Sequence, residues 1–226
     1  MGISHQSFLQ RKVSAMPHLF LTGPSGAGKS TLLKEELARC GVKVSGFFTQ
    51  RQISPAGETL GFLLLPWASS CSGAAVINIP SEDRAGHSRP LFPGAADSLF
   101  IWKTSQGRIF RPEVFASLGI QLLSAPAPFL CLDELGGGEL LVPAFRQRLY
   151  DLLETHPCCL GVLKTPASLS SMRTRVTLAS GAEEELAQLY AYLESRRDCH
   201  ILPVTADSRE QARISVRSFL QKAACP

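Results

Sequence analysis

Nine residues near the start of the chain read Gly23-Pro24-Ser25-Gly26-Ala27-Gly28-Lys29-Ser30-Thr31 and fit the phosphate-binding pattern G-x-x-x-x-G-K-[ST]. An apolar run at 18–22 precedes them, and residues 30–39 follow with leucines at helical spacing. Strand, glycine-rich loop and helix therefore occur in the order that the pattern requires. This context predicts that residues 23–31, the phosphate-binding loop, hold a nucleoside triphosphate such as ATP or GTP.

Each part of the loop has a predicted role toward the phosphates. Backbone N–H groups of residues 25–30, together with the positive end of the following helix, would face the phosphate oxygens. Lys29 would bridge the β- and γ-phosphates, and the Ser30 hydroxyl would ligate Mg²⁺ directly. Thr31 is a candidate to support that ligand. All nine residues of the loop are therefore predicted nucleotide contacts.

A second motif lies where the apolar run 129–132 meets two adjacent carboxylates, Asp133 and Glu134. At the carboxyl end of a central strand, such a pair can hold a magnesium ion and act on a water molecule. An isolated acidic turn is more often a solvated strand end, but the complete loop upstream favours the catalytic interpretation. We expect Asp133 to hold the same Mg²⁺ as Ser30, and Glu134 to be the general base or the water-positioning group.

Composition limits the classes of function. The chain has 226 residues and a net charge of +4, with its Lys and Arg residues scattered, so a nucleic-acid or protein partner is unsupported rather than excluded. No apolar run approaches the ~20 residues that span a bilayer, so no membrane segment is predicted. Seven cysteines without a C-x-x-C pair indicate reduced thiols and a cytoplasmic protein.

Alternating strand and helix patterns predict an α/β fold, with a mainly parallel sheet covered by helices on both faces. Strands are predicted at 18–22, 42–50, 59–65, 129–132, 158–163 and 200–204, and helices at 30–39, 111–124, 143–154, 183–194 and 208–221. The turn signal Ser54-Pro55-Ala56-Gly57 joins two of these strands into an antiparallel hairpin added to the sheet.

The domain prediction is one domain over 16–226. Residues 1–15 are polar and unpatterned and are interpreted as a disordered extension, native or artificial, before a natural start at Met16. Residues 66–107 break the pattern and are predicted to be a partly ordered insertion, with short strands near 75–79 and 99–102.

Some site residues stay open at this level. Lys164 and Thr165 follow the strand 158–163 and are candidates for sensing the γ-phosphate. An arginine finger would be sought among Arg84, Arg89, Arg108, Arg111 and Arg173, but nothing in their spacing selects one.

Together these residues resemble the small P-loop nucleoside-triphosphatases of thermophilic archaea and bacteria and their human cancer-related relative. The resemblance rests on the loop through Leu32, on Val44–Thr49 with Gly61-Phe62, on Leu132–Gly136 with Glu139-Leu140, and on Pro203–Thr205. It implies a RecA-like sheet and magnesium-dependent hydrolysis of nucleoside triphosphates with broad base preference. The family's usual basic residue and methionine after the acidic motif are replaced here by Gly137-Gly138, and residues 165–182 look inserted or divergent.

Two other functions fit the same loop. A P-loop kinase for a nucleotide or small molecule could use 66–107 as its acceptor pocket, and a nucleotide-dependent switch or adaptor would time a partner interaction by hydrolysis. Adjacent Asp133 and Glu134 favour hydrolysis, because a kinase must exclude water and a carboxylate aimed at water would undermine that. The preferred base and the oligomeric state are left open.

Overall fold

A computed structural model describes residues 18–67, 95–156 and 158–224. Its strands are β1 (His18–Thr22), β2 (Val44–Ile53), β3 (Thr59–Pro66), β4 (Leu99–Thr104), β5 (Gly107–Phe110), β6 (Phe129–Leu135), β7 (Cys159–Leu163), β8 (Val176–Thr177) and β9 (Cys199–Pro203). Its helices are α1 (Lys29–Cys40), α2 (Ala95–Ser98), α3 (Pro112–Val114, Phe115–Gly119 with π-helical geometry, and Ile120–Ser124), α4 (Pro143–Thr155), α5 (Pro166–Arg173), α6 (Ala182–Ser195) and α7 (Arg209–Ala224), and Gly138–Leu141 forms a 3₁₀ turn.

The described strands form one sheet in the order β8-β5-β4-β3-β2-β6-β7-β1-β9. The neighbouring pairs β2–β6, β6–β7, β7–β1 and β1–β9 are parallel, whereas the pairs β2–β3, β3–β4 and β4–β5 are antiparallel. The short β8 pairs parallel to β5. The predicted mainly parallel sheet with an antiparallel addition is confirmed, and the addition is larger than the single hairpin expected.

Strand β7 lies between β1 and β6 and runs parallel to both. The carboxyl ends of parallel strands meet at one edge of a sheet, which is where α/β proteins bind ligands. The residues that follow β1, those at the end of β6 and those after β7 therefore converge at this edge.

Alternate residues of each strand supply two separate apolar layers. In β1, Leu19 and Leu21 pack on the face that carries α1 and α7, whereas Phe20 packs on the opposite face with α3, α4 and α6. Both layers are fully buried at these positions. Helices therefore cover both faces of the parallel part of the sheet, as the sequence predicts.

Several predicted boundaries change in the structure. Strand β6 continues to Leu135 instead of ending at Leu132, because one extra residue bulges against β7 and the pairing resumes at Leu135. Part of the predicted insertion is the strand β4, paired with β3. The segment after Thr165, which sequence patterns left unassigned, contains α5 and β8. The extension 1–15 and the strand predicted near 75–79 lie outside the described residues.

None of the helices in the described parts of the chain combines the length and the apolar character that a bilayer span requires.

A buried carboxylate ties the loop helix to the last helix. Glu36 of α1 has no exposed surface, and its carboxylate accepts hydrogen bonds from Arg213 Nη1 at 3.1 Å and Arg217 Nε at 2.8 Å, both in α7. Hydrogen bonding from Arg217 lowers the pKa of Glu36 below its ordinary 4.5. A carboxylate with a lowered pKa stabilises the fold above its ordinary pKa.

We predict that Glu36→Gln lowers the free energy of unfolding by about 2 kcal/mol at neutral pH, because two arginines lose the negative charge and one of the two acceptor oxygens that they share. The loss should shrink as the pH falls below 4.5, where the carboxyl group protonates in the unfolded chain, and should disappear once the pH is also below the lowered pKa of the folded state. Urea denaturation at several pH values measures both effects. The control is Glu35→Gln, whose half-exposed side chain pairs with Arg213 and whose loss should cost under about 0.5 kcal/mol. Equal losses for the two variants would contradict this account.

Candidate active site

The phosphate-binding loop leaves β1 and turns directly into α1. Gly23 is required by a close contact, since a Cβ there would lie 2.1 Å from the carbonyl oxygen of Val204, and Gly28, which lies beside Arg209, is favoured by its positive φ. Gly28 is the N-cap of α1 and has a left-handed φ of 78°. No side chain caps this helix start, so the first N–H groups of α1 stay available to an anion.

The predicted loop residues lie together at the carboxyl edge of the sheet. Four of them, Gly23, Pro24, Ser25 and Lys29, line a cleft, whereas Thr31 lies on the exposed side of α1. Lys29 Nζ donates to the carbonyl oxygens of Gly23 at 2.8 Å and Pro24 at 2.7 Å. Burial lowers the pKa of Lys29. Its ammonium group is therefore held across the mouth of the loop.

The two predicted magnesium ligands meet in the structure. Ser30 Oγ donates to Asp133 Oδ1 at 2.6 Å, although the residues belong to α1 and β6. Asp133 is 1% exposed, and burial, with a smaller contribution from the charge of Glu134, raises the pKa of its carboxyl to about 6.

A hydroxyl and a carboxylate are hard oxygen ligands of the kind that Mg²⁺ prefers, and the buried charge of Asp133 would gain from a cation. The pair therefore fits the ion. Within the described ranges, no group of three or more His, Cys, Asp or Glu side chains could hold a metal. An ion beside Ser30 and Asp133 would accordingly take its remaining oxygens from phosphate and water.

The backbone of Glu134, a residue that lines the cleft, is strained. Its φ of 60° makes it the one non-glycine residue with positive φ in the described part of the chain, a conformation that costs about 1–2 kcal/mol. The bulge at the end of β6 holds it there, and its side chain lines the cleft. Glu134 Oε2 accepts a hydrogen bond from Lys164 Nζ at 2.8 Å, and the charge of Lys164 lowers the pKa of Glu134.

Lys164 and Thr165 follow β7 and line the same cleft, as expected for candidate γ-phosphate contacts. Lys164 is engaged with Glu134, whereas Thr165 Oγ1 caps α5 by accepting from the N–H of Ser168 at 3.1 Å. The hydroxyl of Tyr190 contacts both Thr22 Oγ1 at 2.7 Å and the Lys164 carbonyl at 3.0 Å. Tyr190, which sequence reasoning missed, thus joins the ends of β1 and β7.

Glu139 is another functional candidate without a predicted role. It is 5% exposed, and its Oε1 accepts from the N–H groups of Gly136 at 2.6 Å and Gly137 at 2.8 Å. Burial raises the pKa of Glu139. The residue fixes the turn that leaves β6, so the glycines there form an ordered exit instead of a free hinge.

The candidate arginine fingers differ in whether they line the cleft or pair with a carboxylate elsewhere. Of the predicted candidates, Arg108 lines the cleft, whereas Arg111 pairs with Glu113 and Arg173 with Glu183. Arg84 and Arg89 lie outside the described residues. Sequence reasoning missed three arginines, Arg51 and Arg175 in the cleft wall and Arg209 against Gly28. The alternation of β2 is a signal for Arg51, since it shares a face with Phe47 and Thr49.

Comparison with known proteins supports the similarity to nucleoside-triphosphatases. Residues 18–78 match a family model described as NTPase. The chain is 27% identical over 197 residues to Nucleoside-triphosphatase THEP1 of Ignicoccus hospitalis, covering 86% of this chain and 91% of that protein. It is 28% identical over 215 residues to the Mus musculus Cancer-related nucleoside-triphosphatase homolog, covering 90% and 96%. The predicted family resemblance is confirmed.

Two solved structures share the fold. Crystalline THEP1 of Aquifex aeolicus has a TM-score of 0.54 at 17% identity, with 90% of this chain and 99% of that chain covered. The solution structure of a human cancer-related nucleoside triphosphatase has a TM-score of 0.50 at 24% identity, covering 90% and 97%. At these identities the likeness speaks for the α/β fold alone.

We predict that Asp133→Asn stabilises the metal- and nucleotide-free protein by about 1–3 kcal/mol above pH 6, because the wild-type carboxylate must ionise in a buried position. The gain should fall away between pH 6 and the ordinary pKa of 3.8, where the wild-type group becomes protonated in both states. Urea denaturation measures it. Asp151→Asn, at an exposed carboxylate of α4, is the matched control and should change little. A destabilised Asp133→Asn protein at pH 8 would contradict the prediction.

Proposed function

We propose that this chain hydrolyses nucleoside triphosphates to diphosphate and phosphate with Mg²⁺, in the cytoplasm and with broad base preference. The observation that carries the proposal is the 2.6 Å hydrogen bond between Ser30 and Asp133, which puts a loop hydroxyl and a strand carboxylate at one point beside Glu134. Relatives that align over most of the chain are named nucleoside-triphosphatases, which supports the same reaction.

In this scheme the N–H groups of the loop and the Lys29 ammonium bind the phosphates, and Ser30 and Asp133 hold the metal ion. When bound, Mg²⁺ neutralises charge on the phosphate oxygens. The position of Lys29 across the loop mouth would let its ammonium exchange the carbonyls of Gly23 and Pro24 for phosphate oxygens.

Glu134 would orient the attacking water. Lys164 keeps its carboxylate ionised at neutral pH, so it can accept a hydrogen bond from water, and its lowered pKa suits positioning more than full proton abstraction. The water oxygen bonds to the γ-phosphorus while the bond to the bridging oxygen breaks, and the water protons pass to the phosphate products and solvent. The strained backbone of Glu134 and its lysine partner fix where the water lies.

The cytoplasmic location rests on the cysteines. All five cysteines in the described ranges are free thiols, and four of them are buried: Cys131, Cys158, Cys159 and Cys199. Free buried thiols are usual in reducing compartments.

A second candidate, a kinase, is favoured by one observation. The cleft has a volume of about 640 Å³ and continues past Glu134, away from the loop, into the antiparallel part of the sheet. A small acceptor would fit beside the γ-phosphate there.

Two substitutions test the assigned roles. Lys29→Ala should weaken triphosphate binding at least about tenfold and remove turnover, because a charged contact to phosphate is lost. Glu134→Gln should bind triphosphate as the wild type does and lose hydrolysis by about a hundredfold or more. Equilibrium binding and phosphate release measure these effects, with Lys43→Ala, at an exposed lysine before β2, as the control. If Glu134→Gln hydrolysed triphosphate at the wild-type rate, the role assigned to Glu134 would be wrong.

A product assay separates the two reactions. We expect free phosphate from ATP, GTP, CTP and UTP with Mg²⁺, and none once EDTA removes the ion, because Ser30 and Asp133 alone do not neutralise the phosphate charge. The same assay with nucleoside monophosphates as acceptors should give no phosphorylated acceptor. Acceptor phosphorylation in place of free phosphate would support the kinase and overturn the hydrolase proposal.

A further inference from the structure

The cleft has a second region to which the hydrolysis scheme above assigns no residue role. The loop and the pair Glu134–Lys164 occupy one end, and the other end lies between the antiparallel strands β2–β5 and the segment α5–β8. Volumes of about 300–1,000 Å³ are usual for sites of small organic ligands, and the 640 Å³ cleft falls in this range. This far region is called the distal pocket below.

Aromatic rings form the floor of the distal pocket. Phe62 and Phe100 have ring centres 6.3 Å apart, Phe100 and Phe115 are 5.2 Å apart edge to face, and Phe115 and Phe47 are 6.1 Å apart. All four line the cleft. Phe47, Phe100 and Phe115 are at most 7% exposed, so the half-buried Phe62 offers most of the ring surface on which a planar body could stack or pack edge to face.

Three arginines stand around this floor, and within the described ranges none of them lies within 4.0 Å of a carboxylate, although Glu134 feels the charge of Arg51 and Glu58 that of Arg108. Arg51, Arg108 and Arg175 line the cleft, and none of them forms an ion pair with a described residue. Arg51 and Arg175 are exposed and solvated, whereas Arg108 is half-buried, so an unpaired charge is unusual at Arg108 alone. Here the described carboxylates of the cleft wall are engaged elsewhere, Glu134 with Lys164 and Glu139 with backbone N–H groups.

The arginines are also held in place with donors to spare. Arg108 Nη2 donates to the Thr59 carbonyl at 2.9 Å, whereas its buried Nε has no hydrogen-bond partner among the described residues. The guanidinium of Arg51 lies 5.9 Å from the ring centre of Phe62, and Arg175 is fixed by Ser171 at 2.8 Å. Guanidinium groups match phosphate oxygens in geometry as well as charge.

We propose that the distal pocket is a second ligand site, which binds an aromatic organophosphate of nucleoside-monophosphate size. The aromatic floor would hold the planar ring, and the guanidinium groups of Arg51, Arg108 and Arg175 would hold the phosphate. Three cations that form no ion pair within the described ranges suit a phosphate monoester, which carries about two negative charges at neutral pH. A neutral apolar molecule would leave those cations without a counter-charge, and inorganic phosphate would leave the aromatic surface uncovered.

The test is calorimetric titration with AMP and GMP in the absence of triphosphate and metal. We expect saturable binding of at least one of them, kept within about threefold in Lys29→Ala, whose phosphate-binding loop is disabled. Arg108→Met should weaken binding about tenfold or more, and Arg175→Met should act in the same direction, because each removes a charged contact to phosphate. Adenosine lacks the phosphate group and inorganic phosphate lacks the aromatic base, so both should bind more weakly than the nucleotide.

Controls separate the pocket from general charge effects. Arg39→Met removes the same charge at an exposed arginine in the last turn of α1, the end of that helix opposite the loop, and should leave monophosphate binding unchanged. Arg175 is exposed, so its substitution tests the pocket even if Arg108→Met does not fold. The proposal is overturned if neither nucleotide binds at millimolar concentration, if Lys29→Ala loses the binding, or if Arg175→Met and Arg39→Met behave alike. Triphosphate hydrolysis is assayed separately, so either proposal can fail alone.

Discussion

Asp133 places a carboxylate in a buried position at the carboxyl edge of the parallel sheet, where ionisation is unfavourable. Asp133 is almost fully enclosed, and the one hydroxyl beside it, that of Ser30, offsets little of the free energy that ionisation costs there. The fold bears this cost where a cation and a phosphate chain would remove it. The buried Asp133 carboxylate beside Ser30 thus lowers the stability of the ligand-free fold while it favours binding of a cation, a trade-off that is common at functional sites.

The elements around that pair restrict how it can move. The loop helix α1 carries Ser30 at its start and Glu36 in its buried middle, and Glu36 is bound to two arginines of α7. On the other side, the bulge in β6 fixes the backbone of Asp133 and Glu134 against β7. The hydroxyl and the two carboxylates are therefore held by separate elements that all rest on the same sheet, which gives the preorganisation that electrostatic catalysis needs.

The antiparallel half of the sheet extends the cleft beyond the loop. Without β3, β4, β5 and β8, the carboxyl edge of β2 would open directly to solvent. With them, the edge continues into a wall of aromatic rings and arginines, and the segment α5–β8 crosses from β7 to the far edge of the sheet above it. The loop therefore lies at one end of a larger cleft, whose far end is lined by different residues.

Local patterns were sufficient to predict much of the fold, and they supplied the proposed residues of the loop. The glycine-lysine pattern, the apolar run ending in Asp133 and Glu134, and the alternation of strands and helices are properties of neighbouring residues, and they predicted the α/β sheet and the antiparallel addition. They also named Ser30 and Asp133, because each lies at the end of a recognisable element.

Local patterns could not predict the contacts between distant segments. These contacts are the pairing of Glu134 with Lys164, the placement of Arg51, Arg108 and Arg175 in one wall of the cleft, and the link from Tyr190 to β1 and β7. The positive φ of Glu134 was equally hidden, since it arises from a register shift between two strands and not from any residue that favours that conformation. Short-range periodicity reports which side of an element is buried, whereas only the packed sheet decides which side chains face each other across the cleft.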